Sequence, residues 1–279
     1  MKLKKKAKVM IVVSIVASLL SGCGFGEKQI DYKPFVKALD EGDMRKVMSA
    51  SDDGYAYMKE RVIDFTTEKN GDDRIHNTLY QTTEGIYNLK ENLLYGETTQ
   101  KITSDIKNIK DRHKDNKYKE EEKYSTRFMY KDRKGYSSDS NLDVSHVKLI
   151  FNRLQGVGSL QLKIDGNKKK FNEPNTVGFT LTESQFQEII NDKLNLQYDS
   201  FETASIVFNF NDSKDTKQHP MQIIQLIISI VYEKKNSEGK LLTHTQQISV
   251  NFSSKKDNDQ EAKQDYVNYE KSFQNNKSF

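Results

Sequence analysis

Residues 60–83 read ERVIDFTTEKNGDDRIHNTLYQTT. Taken back to Tyr57, the first half sets Tyr57, Ile63 and Phe65 on one parity and Asp64, Thr66 and Glu68 on the other. A period of two sends these sets to opposite faces of an extended strand. Asn70-Gly71 breaks the alternation, and Asn-Gly readily adopts the positive φ angles of a tight hairpin turn. A second strand is predicted from about Arg74 to Thr83. Strands joined by so short a turn must pair antiparallel, because a parallel pair needs a crossover of a dozen residues or more.

The same alternation continues downstream. Strands are predicted over Gly85 to Tyr95 and Glu97 to Ile109, followed by a turn in HKDNK, 113–117. Glu122, Tyr124, Thr126, Phe128 and Tyr130 then alternate with Lys123, Ser125, Arg127, Met129 and Lys131, a strand with one aromatic-rich face. Later strands are read from the alternation of Ile206, Phe208 and Phe210, from the apolar run Ile223 to Val231, and from Leu242, Ile248, Val250 and Phe252. The turn KNSEGK joins the last two. SLQLKIDGNKKKF, 159–171, also alternates, around a turn at Asp165-Gly166.

Three segments carry helical spacing. Phe35, Leu39, Met44, Val47 and Met48 form one, with Pro34 in the first turn and a break near Gly42. Val147, Ile150, Phe151 and Leu154 form another, ended by Gly156. The third is LTESQFQEIINDKL, 181–194, where Thr182 and Gln185 make a Thr-x-x-Gln capping box and Phe186, Ile189, Ile190 and Leu194 share a face. The expected class is therefore α+β: a curved antiparallel sheet, half-barrel-like, with a few helices packed on one side. A boundary near 140–158 divides two lobes, or else the last strands complete the first sheet. Beyond Ser253 the chain is rich in Lys, Asp, Asn and Gln. Residues 254–279 read as a solvated, largely disordered tail, with a loose helix near Gln260 to Phe273.

The N-terminus reads differently. Residues 1–8 carry five lysines and no acid, and the next twelve, VMIVVSIVASLL, are almost wholly apolar. That is the layout of a secretory signal peptide, and the run is shorter than the roughly 20 residues a spanning helix needs. Leu20-Ser21-Gly22-Cys23 follows, and Cys23 is the chain's one cysteine. This tetrad resembles the lipobox of bacterial lipoproteins. The resemblance implies cleavage between Gly22 and Cys23 and a diacylglycerol thioether on Cys23, with or without an N-acyl chain. Two acyl chains hold a protein on a membrane where one does not. Residues 1–22 are then a signal peptide, 23–31 a lipidated tether and 32–253 the ectodomain, on the extracytoplasmic face of the cell membrane. The other reading is an uncleaved anchor with an incidental cysteine.

Cleavage changes the charge balance. The signal holds five of the 44 basic residues and none of the 40 acidic ones, so 39 against 40 are left, a net of −1. The basic character belongs to the signal, and nucleic acid is not an expected partner. With no cysteine beyond Cys23, the fold rests on its hydrophobic core without disulfides.

No motif stands out as catalytic. The histidines at 76, 113, 146, 219 and 244 have no metal-ligand spacing, and no metal is expected. LQGVGSL, 154–160, lacks the lysine of a phosphate loop and follows a predicted helix. GYSSDS, 135–140, reads as a turn. An enzyme is therefore not expected, nor any cofactor beyond the covalent lipid. Two features suggest binding. Tyr80, Tyr87, Tyr124, Phe128 and Tyr130 are candidates to line a ligand cleft on the sheet, tyrosine having an apolar body and a polar tip. Lys168, Lys169 and Lys170 are candidates for contact with anionic headgroups or wall polymers.

The helix-then-meander order behind a lipidated cysteine resembles the LolA/LppX-like envelope lipoproteins. The Lys- and Asn-rich, Trp-free composition resembles surface lipoproteins of low-GC Gram-positive bacteria. The first resemblance implies a half-barrel holding lipid or acyl chains, and hence a non-catalytic protein that binds an apolar or amphipathic ligand in a sheet–helix cleft. The alternative is an envelope scaffold that binds another surface protein or a wall polymer.

Overall fold

A computed structural model describes residues 33–41, 48, 50–51, 53–111, 116–150, 156–157, 170–173, 176–210, 222–253 and 259–275. The signal peptide, Gly22, Cys23, the tether and Lys168 and Lys169 lie outside the described residues, as do His113 and His219.

The chain forms α1 (Lys33–Glu41), then β1 (Tyr55–Asn70), β2 (Asp73–Asn88), β3 (Leu93–Asn108), β4 (Lys117–Lys131) and the short β5 (Lys134–Ser137). β6 (Lys170–Glu173) and β7 (Thr176–Leu181) precede α2, residues 183–194. β8 (Ser200–Phe210), β9 (Ile223–Lys235), β10 (Leu241–Ser253) and α3 (Asp259–Asn275) complete it. The strands make one sheet in the order β5-β4-β3-β2-β1-β10-β9-β8-β7-β6, antiparallel throughout. Two meanders are welded where β1 meets β10, from Tyr57 opposite Ser253 to Thr66 opposite His244. The last strands thus complete the first sheet. It is the expected α+β fold, a large curved and unclosed antiparallel sheet.

The alternation of side chains explains the core. Met58, Tyr87, Leu94, Phe128, Phe179, Ile206, Leu226, Ile228, Ile248 and Val250 all point to one face. There they meet Ala38 and Leu39 of α1, Val144, Val147, Leu149 and Ile150 of the segment after β5, and Phe186, Ile189 and Ile190 of α2. The capping box is present: Thr182 accepts from the Gln185 backbone N–H, and the Gln185 side chain accepts from the Thr182 N–H. Within α2 a π-helical turn, Gln187–Asn191, interrupts the α-helical ladder. The left-handed Asn195, φ 54°, follows its last turn. No helix among the described residues is long and apolar enough to cross a membrane.

Several expectations are corrected. Gly85 to Tyr95 is not one strand: β2 ends at Asn88 and the chain turns through residues 89–92, with Asn92 supplying a positive φ of 52°. Asp132 and Arg133, φ 51° and 63°, make a second unforeseen turn, into β5, so part of GYSSDS is strand. The helix expected across 141–156 does not form over its described part up to Ile150. Asp139 and Asp143 accept from the backbone N–H groups of Asn141 and Ser145, and these local bonds compete with a helical ladder. The apolar residues of that stretch still reach the core, as coil. The helix expected near Gln260 to Phe273 forms, over residues 259–275, but it is packed where a loose one in a solvated tail was expected: Tyr266 and Phe273, two turns apart, are buried. The helix docks on the opposite face of the sheet from the main core, so helices lie on both sides.

Gly85 and Gly96 are partners on β2 and β3. A Cβ on Gly85 would sit 2.2 Å from the Tyr95 carbonyl oxygen, and one on Gly96 would sit 2.0 Å from that of Glu84. Glycine at both positions lets the backbones approach closely beside the α3 docking site.

Candidate functional site

On the face that carries α3, strand register lays out two adjacent rows. Tyr57, Ile86, Tyr95 and Met129 face one another across β1, β2, β3 and β4. They form an apolar floor on which Tyr266 and Phe273 pack. Tyr266 lies 5.2 Å from Tyr55 and 5.3 Å from Tyr95 between ring centroids, and Phe273 lies 5.7 Å from Tyr95. The neighbouring row is polar: Asn251, Lys59, Glu84, Glu97 and Arg127, in register from β10 to β4. Lys59 Nζ is 2.5 Å from Glu84 Oε2, and Arg127 pairs with Glu97. The Arg127 guanidinium also stands over the Tyr269 ring of α3, 5.8 Å from its centre.

Between this polar row and the flank of α3 runs a groove of about 610 Å³. The sheet contributes Tyr57, Lys59, Glu84, Ile86, Arg127 and Asn251, and α3 contributes Asp265, Asn268, Tyr269 and Ser272. Tyr57 Oη donates to Asp265 Oδ2 at 2.6 Å, fixing the helix at the groove's edge. Burial, then the bond to the Asp265 carboxylate, pushes the Tyr57 hydroxyl well above the ordinary tyrosine range. Tyr95 and Tyr266 shift the same way, through burial and the nearby carboxylates of Glu91 and Glu270.

The core face holds a smaller cleft of about 200 Å³, lined among others by Glu60, Gln81, Thr83, Gln100, His146, Leu196 and Gln246. Its floor is a bonded network. Gln81 Nε2 donates to Thr98 Oγ1 at 2.6 Å, and Gln81 Oε1 accepts from Gln100 Nε2 at 3.1 Å and from Tyr124 Oη at 2.6 Å. The buried Glu60 carboxylate accepts from the Ile150 N–H at 3.0 Å. Burial pushes the Tyr124 hydroxyl up to about 12.

The predicted aromatic cleft does not assemble. Tyr87, Phe128 and Tyr130 are buried in the main core, where they fill space. Tyr124 stands half-buried, 2.9 Å from His146 Nε2, beside the small cleft. Tyr80 is on the other face, under the ammonium of Lys101, because it and Tyr87 are an odd number of positions apart on an unbroken strand. Of the predicted lysine contact only Lys170 is described; it opens β6 opposite Phe179.

Sequence reasoning missed Lys59, Glu84, Arg127, Asp265 and Tyr269. Their convergence depends on the pairing of β1 with β10 and on the docking of α3, and no local pattern encodes either. Of the described histidines, His76 stacks on Phe65 at 5.5 Å, and partial burial with Lys107 and Arg74 nearby holds its imidazole below the ordinary range. His244 meets Asp64 at 3.1 Å and stacks on Tyr232. No group of three or more His, Cys, Asp or Glu able to hold a metal occurs among the described residues.

Residues 18–123 match the model of a family described as a domain of unknown function, DUF3952. The match covers less than half of the chain and takes in β1, β2, β3 and the start of β4. No curated protein matches. Among solved structures, the chain is similar at 10% identity to a beta-barrel-like protein of a domain of unknown function, DUF1849, from Brucella abortus. That similarity covers 75% of this chain and 100% of the other, with a TM-score of 0.17, too low to carry an argument.

Proposed function

We propose that the chain is a lipid-anchored, non-catalytic binding module on the extracytoplasmic face of the cell membrane, which takes an amphipathic ligand in the groove between the sheet and α3. One observation carries this reading: a 610 Å³ groove with Tyr57 and Ile86 at its base and ion pairs and amides along its rim. Binding pockets of about 300–1,000 Å³ with mostly apolar walls and a few placed polar groups are the usual form of small-molecule sites. The 200 Å³ cleft on the core face is smaller than that range, and the space a half-barrel would offer to acyl chains is occupied by Val147, Leu149, Phe186 and Ile190.

The anchor rests on the lipobox residues Leu20 to Cys23 and on the charge and length of the segment before them. The carboxylates nearest the groove are each engaged, Glu84 by Lys59, Glu97 by Arg127 and Asp265 by Tyr57, which favours holding a ligand over proton transfer. The scaffold alternative draws less support. The open edge of β4, residues 117–127, carries Lys117, Lys119, Glu120, Glu121, Glu122 and Lys123, and charged edges discourage strand addition.

The test is mass spectrometry of small molecules that stay with the full chain, extracted from membranes in mild detergent. A stoichiometric amphipathic species is expected. Repeated recovery of ligand-free protein would overturn the proposal.

A further inference from the structure

Resting on that reading of the groove, we infer that its ligand is a neutral saccharide chain. Two ion pairs border the groove, Lys59 with Glu84 at 2.5 Å and Arg127 with Glu97, and the Asp265 carboxylate accepts the Tyr57 hydroxyl at 2.6 Å while keeping its charge. An anionic ligand would have to break one of these pairs or face the Asp265 carboxylate, and a cationic one would face the ammonium of Lys59 and the guanidinium of Arg127. A pure hydrocarbon would cover Asn251, Asn268 and Ser272 as well as the ion pairs. Burying such groups without a replacement hydrogen bond leaves each of them desolvated and unsatisfied.

The ligand that avoids both penalties has no net charge, carries many hydroxyls that donate and accept, and presents an apolar face. A pyranose ring has these properties. Its C–H face suits the Tyr57 and Tyr269 rings and Ile86, and its hydroxyls suit amides, which offer a donor and an acceptor side by side. Asn251 and Asn268 stand on opposite walls, one on β10 and one on α3, and Ser272 is one helical turn beyond Asn268. Polar groups along both walls suit a linear ligand laid between strand and helix better than a compact one.

The experiment uses the full chain in a sugar-free polyoxyethylene detergent, with calorimetry and saturation-transfer NMR as readouts. The probes are tetra-N-acetylchitotetraose and maltotetraose as neutral chains, polyglycerol phosphate as an anionic polymer, and palmitate as an amphiphile with a long hydrocarbon tail. Binding of a neutral tetrasaccharide is expected, weakened at least tenfold by Tyr269→Ala and by Asn268→Leu. Tyr118→Ala, at an exposed tyrosine outside the groove lining, is expected to leave it unchanged. Asn268 is exposed, so its substitution separates lost binding from lost folding. Preference for palmitate or for the anionic polymer, abolished by Asn268→Leu, would overturn the saccharide assignment and leave the groove reading standing. Failure of all four probes would overturn the saccharide inference, and an empty groove in protein taken directly from membranes would overturn the reading beneath it.

Discussion

Tyr57 Oη donates to Asp265 Oδ2 at 2.6 Å and so ties the first long strand to a helix 208 residues further along the chain. This bond, with the buried rings of Tyr266 and Phe273, decides whether the last helix forms a wall of the groove. Removing the hydroxyl in Tyr57→Phe leaves the ring in place and orphans a carboxylate at the groove's edge. A hydrogen bond to a charged group contributes roughly 1.5–3 kcal/mol, and the lower end applies at a partly exposed pair. The expected result is a loss of about 1.5 kcal/mol in the docking of α3, seen as faster amide hydrogen exchange over 259–275 with little change in β8 and β9.

Phe273→Ala probes the same docking from its apolar side. Phe273 is 2% exposed and belongs to a small cluster separate from the main core. Truncating a buried Phe costs about 3–5 kcal/mol where the whole fold bears the loss. Here α3 is expected to undock before the sheet melts. Limited trypsinolysis is then predicted to cut first at Lys263 and Lys271, while the main thermal transition shifts little.

Gly85→Ala and Gly96→Ala are expected to be among the most damaging single substitutions in the sheet. Each Cβ would meet a backbone carbonyl oxygen at 2.2 or 2.0 Å, and backbone in the middle of a ten-stranded sheet cannot easily yield. Gly71→Ala is the control. Nothing lies within 4 Å of its Cβ, and only its φ of +57° disfavours a side chain, a cost of about 1–2 kcal/mol. Thermal melts of the three variants are predicted to rank Gly71→Ala as much the mildest.

Alkaline pH is expected to destabilise the fold. The Tyr124 hydroxyl is pushed up from 10.0 to about 12 by burial, and Tyr57, Tyr232 and Tyr266 move in the same direction. A raised pKa means the folded state holds the proton more tightly. The stabilisation is complete below about pH 10, where the unfolded tyrosines are still neutral, and is lost as pH rises through the folded value. Absorbance at 295 nm is predicted to show exposed tyrosines titrating first and a later, cooperative step coincident with loss of secondary structure. Independent titration of all tyrosines near pH 10 in a still-folded protein would contradict this.

Cys23→Ser tests the anchor. The variant is expected to leave the membrane fraction and to migrate as the unprocessed or aberrantly processed chain. Unchanged processing and unchanged membrane retention would remove the basis for the proposed location.

The antiparallel plan was legible because its signals are local. Asn70-Gly71 turns β1 into β2 with Gly71 at positive φ, and Thr182 and Gln185 cap α2 reciprocally. The turns at Asn92 and at Asp132-Arg133 were hidden because non-glycine residues take positive φ there, which composition alone does not announce. The segment after β5 keeps helical spacing in its apolar residues, but over its described part, up to Ile150, Asp139 and Asp143 stabilise turns instead. The groove is beyond local reading. Its walls come from β1, β2, β4, β10 and α3, and the sequence suggests a loose helix near Gln260 to Phe273 but not its docking, because Tyr266, Tyr269 and Phe273 stand in a segment otherwise dominated by polar residues. The parity of Tyr80 against Tyr87 is readable in the sequence, and it places the two side chains on opposite faces of β2.

The most direct measurement concerns the groove itself. Asn268 is exposed on its helical wall, and Asn268→Trp would fill the space without touching the rings that dock α3. In native mass spectra of the membrane-extracted full chain, a bound small-molecule adduct is expected in the wild type and its loss in Asn268→Trp, with the two proteins melting alike. Retention of the same adduct by a folded Asn268→Trp protein would contradict it.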